Sequence, residues 1–212
     1  MILDEDFLED LQYALLEPPD GGASWPSGLW TPDEVRQTTN QRQDRLLKET
    51  HLLTQSAVLI WPALAPRVAL PVDWMATLEV VWRDDVLDPV AVELQRSDVF
   101  EIDHALPTWA TTPTQPQVYG EFDTPTLELQ IAPVPVMDGT VTLRYVAQSS
   151  ALVGEGGALA LPDEWAPVVK YGVLADLLGK DGRAHDPARA SYSLDRFALG
   201  IDLTRMLLGG QS

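Results

Sequence analysis

The sequence contains no cysteine, few basic residues and no long apolar run, and each absence excludes a class of site. Without cysteine the chain forms neither disulfides nor thiolate metal sites. With 14 Lys and Arg against 32 Asp and Glu, the net charge of −18 disfavours non-specific binding to nucleic acid, because each phosphate contact needs a cation. No stretch reaches the length of a membrane span, and the first residues lack a basic and apolar leader. We therefore expect a protein assembled in the cytoplasm, with no membrane partner.

Histidine is also scarce, and its positions do not indicate chemistry. The three histidines lie in different predicted elements, and none has a ligand or base at a recognised spacing. The Gly-Glu-Gly-Gly run at 154–157 is not followed by a helix start, which favours a linker over a phosphate-binding loop. No nucleophile and base can be paired, so we expect no enzymatic activity, no metal and no cofactor. The histidines are His51, His104 and His185.

The carboxyl-terminal stretch, residues 161–209, predicts two helices joined by a short polar connection. The first, around 166–178, is apolar on all sides, which is typical of an enclosed helix. Asp186 and Pro187 provide an N-cap and a first helical residue for the second. Apolar and small residues then recur at steps of three and four, which predicts one packed stripe and an opposite face that is solvated or meets a partner. The stripe consists of Ala190, Leu194, Phe197, Ile201, Thr204 and Leu208.

Two further helices are predicted near the amino terminus. Residues 4–20 contain seven acids and no basic residue, with apolar residues at helical spacing, so a solvated surface helix is favoured over a docking segment. Thr31, Pro32 and Glu34 form an N-cap, a first-turn proline and a capping-box partner for a helix that runs to about residue 54. That helix is unusually polar. Either it lies across the carboxyl-terminal pair, or its polar side is buried against another subunit.

Between these helical regions the composition changes to β-branched residues, aromatics and prolines. Six strands are predicted, at 57–61, 77–82, 90–94, 117–122, 126–131 and 140–147, with a hairpin-type turn at 137–140. Such strands predict a small antiparallel barrel or sandwich inserted into a helical bundle, which is an α+β fold. The expected domains are 1–55 (amino-terminal helices), 56–150 (inserted β domain) and 151–212 (linker and closing helix pair).

Seven tryptophans leave two functional interpretations open beside simple packing. A carbohydrate- or receptor-binding β module would place indole rings together on an exposed face, whereas an assembly protein would use some of them as interface anchors. Trp25 and Trp30 stand in a loop of Gly, Pro and Ser, and we expect these two to reach a neighbour.

Several short patterns follow one another along the chain. They are Trp30-Thr31-Pro32-Asp33-Glu34 with the polar helix through Leu46, Val68 to Asp73, Pro107-Thr108-Trp109, Gln115 to Tyr119, Leu127 to Pro135, Leu161-Pro162, and the helix pair through Asp186 to Ala190. In their order and spacing, over about residues 28–208, the sequence resembles the head-to-tail adaptor, or connector, proteins of tailed bacteriophages and gene transfer agents. The sequence departs from the family pattern in its acidic first helix and the Pro-Pro-Gly-Gly loop that follows.

This resemblance implies a structural virion protein of the head-tail neck. Copies would form a ring, typically of twelve, with helices toward the portal protein and the β domain toward the tail or a tail-terminator or stopper protein. DNA would pass through the ring without specific binding, repelled by an acidic wall. The candidate channel-lining acids are Asp84, Asp85 and Asp88, whose turn lacks the Gly and closing Glu of a calcium loop. The candidate subunit or portal interface consists of Trp25, Trp30, Arg42, Arg45, Arg189, Arg196 and Arg205.

Overall fold

The longer helices and the strands occupy separate parts of the chain. The structure is a computed structural model that describes residues 2–16, 25, 28–84, 91–122, 127–152 and 157–209. Residues 1–53 and 148–212 make up one unit, called the helical unit, and residues 54–147 make up the other, called the β unit. The helices are α1 (Asp4–Ala14), α2 (Pro32–Thr50), α3 (Val99–Ala105), α4 (Ala166–Gly179) and α5 (Pro187–Gly209). The strands are β1 (Thr54–Trp61), β2 (Arg67–Ala69), β3 (Trp74–Asp84), β4 (Val92–Glu93), β5 (Gln95–Arg96), β6 (Val118–Phe122), β7 (Glu128–Ala132) and β8 (Gly139–Ala147).

Local capping sets the ends of the long helices. The Thr31 hydroxyl accepts the Glu34 N–H at 3.2 Å, as predicted, whereas the Glu34 carboxylate pairs with Lys180 instead of completing the capping box. Asp186 caps α5, with its carboxylate accepting a backbone N–H of the first turn at 3.0 Å. Helix α2 ends earlier than predicted, because His51 adopts the left-handed conformation with φ 57° and closes the last turn.

Helices α4 and α5 pack against each other, and α2 lies across both. Their apolar residues form one core together with Phe7 and Leu11 from α1. Helix α1 is therefore docked on its own unit. Its first carboxylate, Asp4, is buried and accepts a hydrogen bond from Arg36 of α2 at 2.7 Å. None of the described helices is long and apolar enough to cross a membrane.

The packed stripe of α5 differs from the predicted one at one position. Phe197, Ile201 and Thr204 are buried as expected, but Leu194 is 47% exposed and the neighbouring Ser193 is buried in its place. Helix α5 carries apolar residues on more than one side, so a sequence pattern alone does not fix which of two adjacent residues points inward.

The described part of the β unit contains two open four-stranded sheets, in the orders β1-β8-β3-β4 and β2-β7-β6-β5. The α+β class is confirmed, and the closed-barrel alternative was wrong, because β1 and β4 are left as the edges of one sheet, and β2 and β5 as the edges of the other. The turn at 137–140 is likewise not a hairpin, since β7 and β8 belong to different sheets. All six predicted strands are present, and β5 pairs with β6 in parallel. Helix α3, which the sequence analysis missed, begins at an Asp98–Glu101 capping box.

Candidate assembly surfaces

The polar side of α2 is bonded to the returning chain of its own unit. Asn40 accepts the Leu152 N–H at 2.9 Å and donates to the Leu152 carbonyl at 3.3 Å. One turn further on, the Asp44 carboxylate accepts the N–H of Ser149 at 3.2 Å and its hydroxyl at 2.7 Å. A segment outside regular secondary structure needs such partners for its backbone groups. The first alternative for this polar helix therefore holds, since its side chains meet the chain itself.

Two more polar residues of α2 point into the core. Gln43 is fully buried and accepts the Ala160 N–H at 2.9 Å. Arg42 forms a two-point pair with Asp176 of α4, its Nε lying 2.6 Å from one carboxylate oxygen. The same guanidinium stands 5.0 Å from the centre of the Phe197 ring. With only 12% of its side chain exposed, Arg42 holds three helices together and offers little to a partner.

The remaining candidate arginines have partners within the chain but keep more exposure. Arg45 and Arg205 both bind Glu49, at 2.7 and 3.1 Å, and each has about half of its side chain exposed. Arg189 donates to the Ala14 carbonyl at 2.6 Å, which ties α5 to the end of α1. Arg196 lies beside a tyrosine of its own helix and is exposed.

The tryptophans are packing residues. Trp25 and Trp30 are 8% and 4% exposed and belong to the core of the helical unit, and the Trp30 indole donates to the Leu177 carbonyl at 3.3 Å. The expectation that these two reach a neighbour is therefore corrected, because the chain uses both rings internally. Four indoles are buried and three are half-buried, so no face of exposed coplanar rings exists. The seven are Trp25, Trp30, Trp61, Trp74, Trp82, Trp109 and Trp165.

Of the candidate channel acids, Asp84 is the last residue of β3, half-buried and opposite Gly139 of β8. Asp85 and Asp88 lie outside the described residues. Within the described ranges no group of acidic residues and histidines is placed to hold a metal ion. Burial raises the pKa of Tyr119 and of Tyr145 above the ordinary value of a tyrosine.

An apolar surface that the sequence analysis missed runs along the outer side of α5. Leu199, Leu203, Met206 and Leu207 are 48%, 49%, 73% and 63% exposed, and we call them the α5 ridge. Their spacing of four, three and one places them on one face, opposite the buried residues. The same helical period that predicted the packed stripe could have identified this second one.

A groove of about 730 Å³ lies elsewhere in the helical unit and is called the α1–α4 groove. Helix α4 contributes Ala166, Pro167 and Leu174, and α1 contributes Phe7 and Ala14, so much of the lining is apolar. The first turns of α5 form the opposite wall. Ridge and groove thus occupy different parts of the same unit.

Comparison with known proteins gives one finding. A family model described as SU10 adaptor protein matches residues 6–209, which is nearly the whole chain and includes both units. A search of curated proteins found no match.

Proposed function

Because the chain belongs to the SU10 adaptor protein family of phage head-to-tail adaptors, we propose that its copies form a ring between portal and tail. The family match over residues 6–209 carries this proposal, since it covers the helical and β regions alike. The family role is structural, within the neck of the virion. The proposed ring has twelve copies, with the helical unit binding the portal protein and the β unit binding the tail or a tail-terminator or stopper protein.

The charge of the chain supports a channel that DNA passes without adhering. Residues 54–147 alone contain 13 acidic and 4 basic residues. A ring brings many copies of this negative surface around one axis, and the repulsion between that surface and phosphates acts over about 10 Å at 0.1 M salt. We propose that Asp84, Asp85 and Asp88 face this channel. A DNA duplex in the ring would then slide through without being held by basic side chains.

The candidate interface arginines differ in how much of their side chain is exposed, so we propose different roles for them. Arg45, Arg196 and Arg205 retain enough exposure to meet a neighbouring subunit or the portal protein, although each already has a partner in its own chain. Arg42 and Arg189 act indirectly, because they fix the positions of the helices that form the surface.

The sugar-binding alternative is not supported. Such a module needs exposed indole rings on one face, and all seven rings are buried or half-buried. Titration with sugars, followed by tryptophan fluorescence, should leave the spectrum unchanged.

The direct test measures the mass of the assembly. Purified chain is mixed with portal protein and analysed by size-exclusion chromatography with light scattering, and twelve copies per portal ring are expected. Cryo-electron microscopy of the same assembly shows the bore, which should be lined by carboxylates. A chain that stays monomeric beside the portal protein contradicts the ring, and a basic or neutral bore contradicts the channel.

A further inference from the structure

The α5 ridge has the properties of a contact surface. Its four aliphatic side chains lie on the last three turns of the helix and are about half to three-quarters exposed. Anchors at i, i+4, i+7 and i+8 are the pattern by which one helix enters a hydrophobic groove. Soluble chains rarely leave a contiguous aliphatic cluster of this kind uncovered.

The α1–α4 groove has the complementary form. Its lining includes apolar residues of α1 and α4 together with Lys170 and Arg189, which are held within the chain by Asp10 and by a carbonyl of α1. The lining also contains three carboxylates, of Asp6, Asp10 and Asp163. The groove lining thus has three acidic and two basic residues, a net charge close to zero, whereas the whole chain has 32 acidic and 14 basic residues. Another acidic molecule therefore meets less repulsion here than over an average part of the surface.

We propose that the α5 ridge of one copy docks into the α1–α4 groove of a second copy of this chain. This inference rests on the proposed ring and names the contact that would build it. Asp195 and Asp202 each precede a ridge residue by one turn and therefore lie along one side of the ridge. In the groove these carboxylates meet a lining that carries Lys170 and Arg189 beside its acids, whereas two ridges packed antiparallel would oppose carboxylate to carboxylate.

The symmetry of this contact agrees with a ring. Ridge and groove are different surfaces of one unit, so a copy that has used one of them in its first contact still offers the other. Such a head-to-tail contact continues until the rotation closes a ring, or extends as a filament where it does not close. A contact between two ridges would stop at a dimer.

Because the chain contains no cysteine, introduced thiols are its only thiols and can be used for cross-linking. A double variant, Leu203→Cys with Ala14→Cys, places one thiol on the ridge and one in the groove. A short bismaleimide reagent is then added to the assembled protein, with portal protein present. The expected product is a ladder of covalent multimers, because each link joins one copy to the next. The matched control, Leu194→Cys with Ala14→Cys, moves the first thiol to an equally exposed position off the ridge and should remain largely monomeric.

Each outcome has a distinct meaning. A ladder that ends at the copy number of the ring supports both the contact and the proposed function, and an open-ended ladder supports the contact but contradicts the ring. Rings seen by light scattering without a ladder overturn the contact and leave the proposed function standing. Dimers formed by Leu203→Cys alone also overturn it, because they require ridge against ridge. A chain that gives neither ring nor ladder contradicts both.

A second measurement does not depend on cross-linking. Leu203→Glu places a charge in the middle of the ridge and should weaken self-association at least about tenfold, measured by sedimentation. Leu194→Glu, at 47% exposure against 49%, should leave self-association unchanged. Equal effects of the two variants, with unchanged melting temperatures, would refute the assignment of the ridge.

Discussion

Replacing Phe197 by Ala should cost the helical unit about 4–5 kcal/mol of unfolding free energy. The ring is 1% exposed and fills the space between α2, α4 and α5. Removal of a buried Phe side chain costs about 3–5 kcal/mol, with the higher values where the surroundings cannot collapse into the cavity. The cavity left by Phe197→Ala would be bordered on one side by the backbone of Gly172, where an added Cβ would lie 2.9 Å from the Phe197 ring. Because Gly172 has no side chain, nothing at that position can move in to fill the cavity.

The loss also includes an electrostatic contribution. The Arg42 guanidinium lies 5.0 Å from the ring centre, and a cation–π contact contributes from about 0.5 kcal/mol at an exposed site to about 2 kcal/mol at a desolvated one. Arg42 keeps its pair with Asp176 after the substitution, so this smaller contribution, and not the ion pair, is lost. Because the two contributions share one ring, they do not add in full, and the total remains near the top of the range for cavity formation.

Denaturant unfolding followed by far-ultraviolet circular dichroism measures this loss, since most helical residues belong to the helical unit. Phe197→Leu serves as the matched control: it retains an apolar side chain but loses the ring, and should cost about 1–2 kcal/mol. Leu199→Ala, on the exposed side of the same helix, should cost less than about 1 kcal/mol. A Phe197→Ala variant as stable as the Leu199→Ala variant would refute the proposed packing of α5.

Three further substitutions test other parts of the fold. Asn40→Ala should lower the unfolding free energy by about 1–3 kcal/mol and speed hydrogen exchange at the Leu152 amide, because it removes both hydrogen bonds to that residue; unchanged exchange contradicts the assigned role. Gly139→Ala should destabilise the β unit by more than about 2 kcal/mol in thermal unfolding, because its Cβ would lie 2.4 Å from an indole carbon of β3, and a neutral result means that the indole moves aside. Tyr145→Phe should reduce the loss of stability above pH 10. Burial and the hydrogen bond to Asp73 raise the pKa of Tyr145 in the folded state. The stability linked to this shift is therefore fully present below the pKa of the unfolded state and is lost as the pH rises through the pKa of the folded state. Identical alkaline unfolding curves for the variant and the parent chain would assign that loss to other groups.

Helix ends and strand positions could be predicted because their causes are local. The Thr31 and Asp186 caps depend on residues within one turn, and both are present. The same rule could have found α3, since Asp98 followed by Glu101 is a capping box that the β-rich surroundings obscured. The division of the described strands into two open sheets depends on pairings between distant residues, which short sequence patterns do not contain.

The candidate assembly residues were the least predictable part. A tryptophan in a loop of Gly and Pro has the same local sequence whether it faces solvent or enters the core. Trp30 enters the core, where the Leu177 carbonyl accepts its indole N–H. Similarly, the polar residues of α2 satisfy a backbone segment more than a hundred residues away. Only the tertiary structure shows such partners.

Substitutions in the polar side of α2 and in the α5 ridge should have different effects, the first on the stability of the monomer and the second on assembly. Because Asn40, Gln43 and Asp44 bond Leu152, Ala160 and Ser149 of the same chain, changes at those positions should lower the melting temperature whether or not other copies are present. Ridge residues are about half to three-quarters exposed in the isolated chain, so polar changes there should alter assembly while leaving the melting temperature of the monomer nearly constant. If the polar side of α2 were the subunit contact instead, changes at its residues would alter assembly, and changes on the α5 ridge would lower the melting temperature of the monomer. The contrast between Asn40→Ala and Leu203→Glu therefore decides which face of the helical unit meets the next copy.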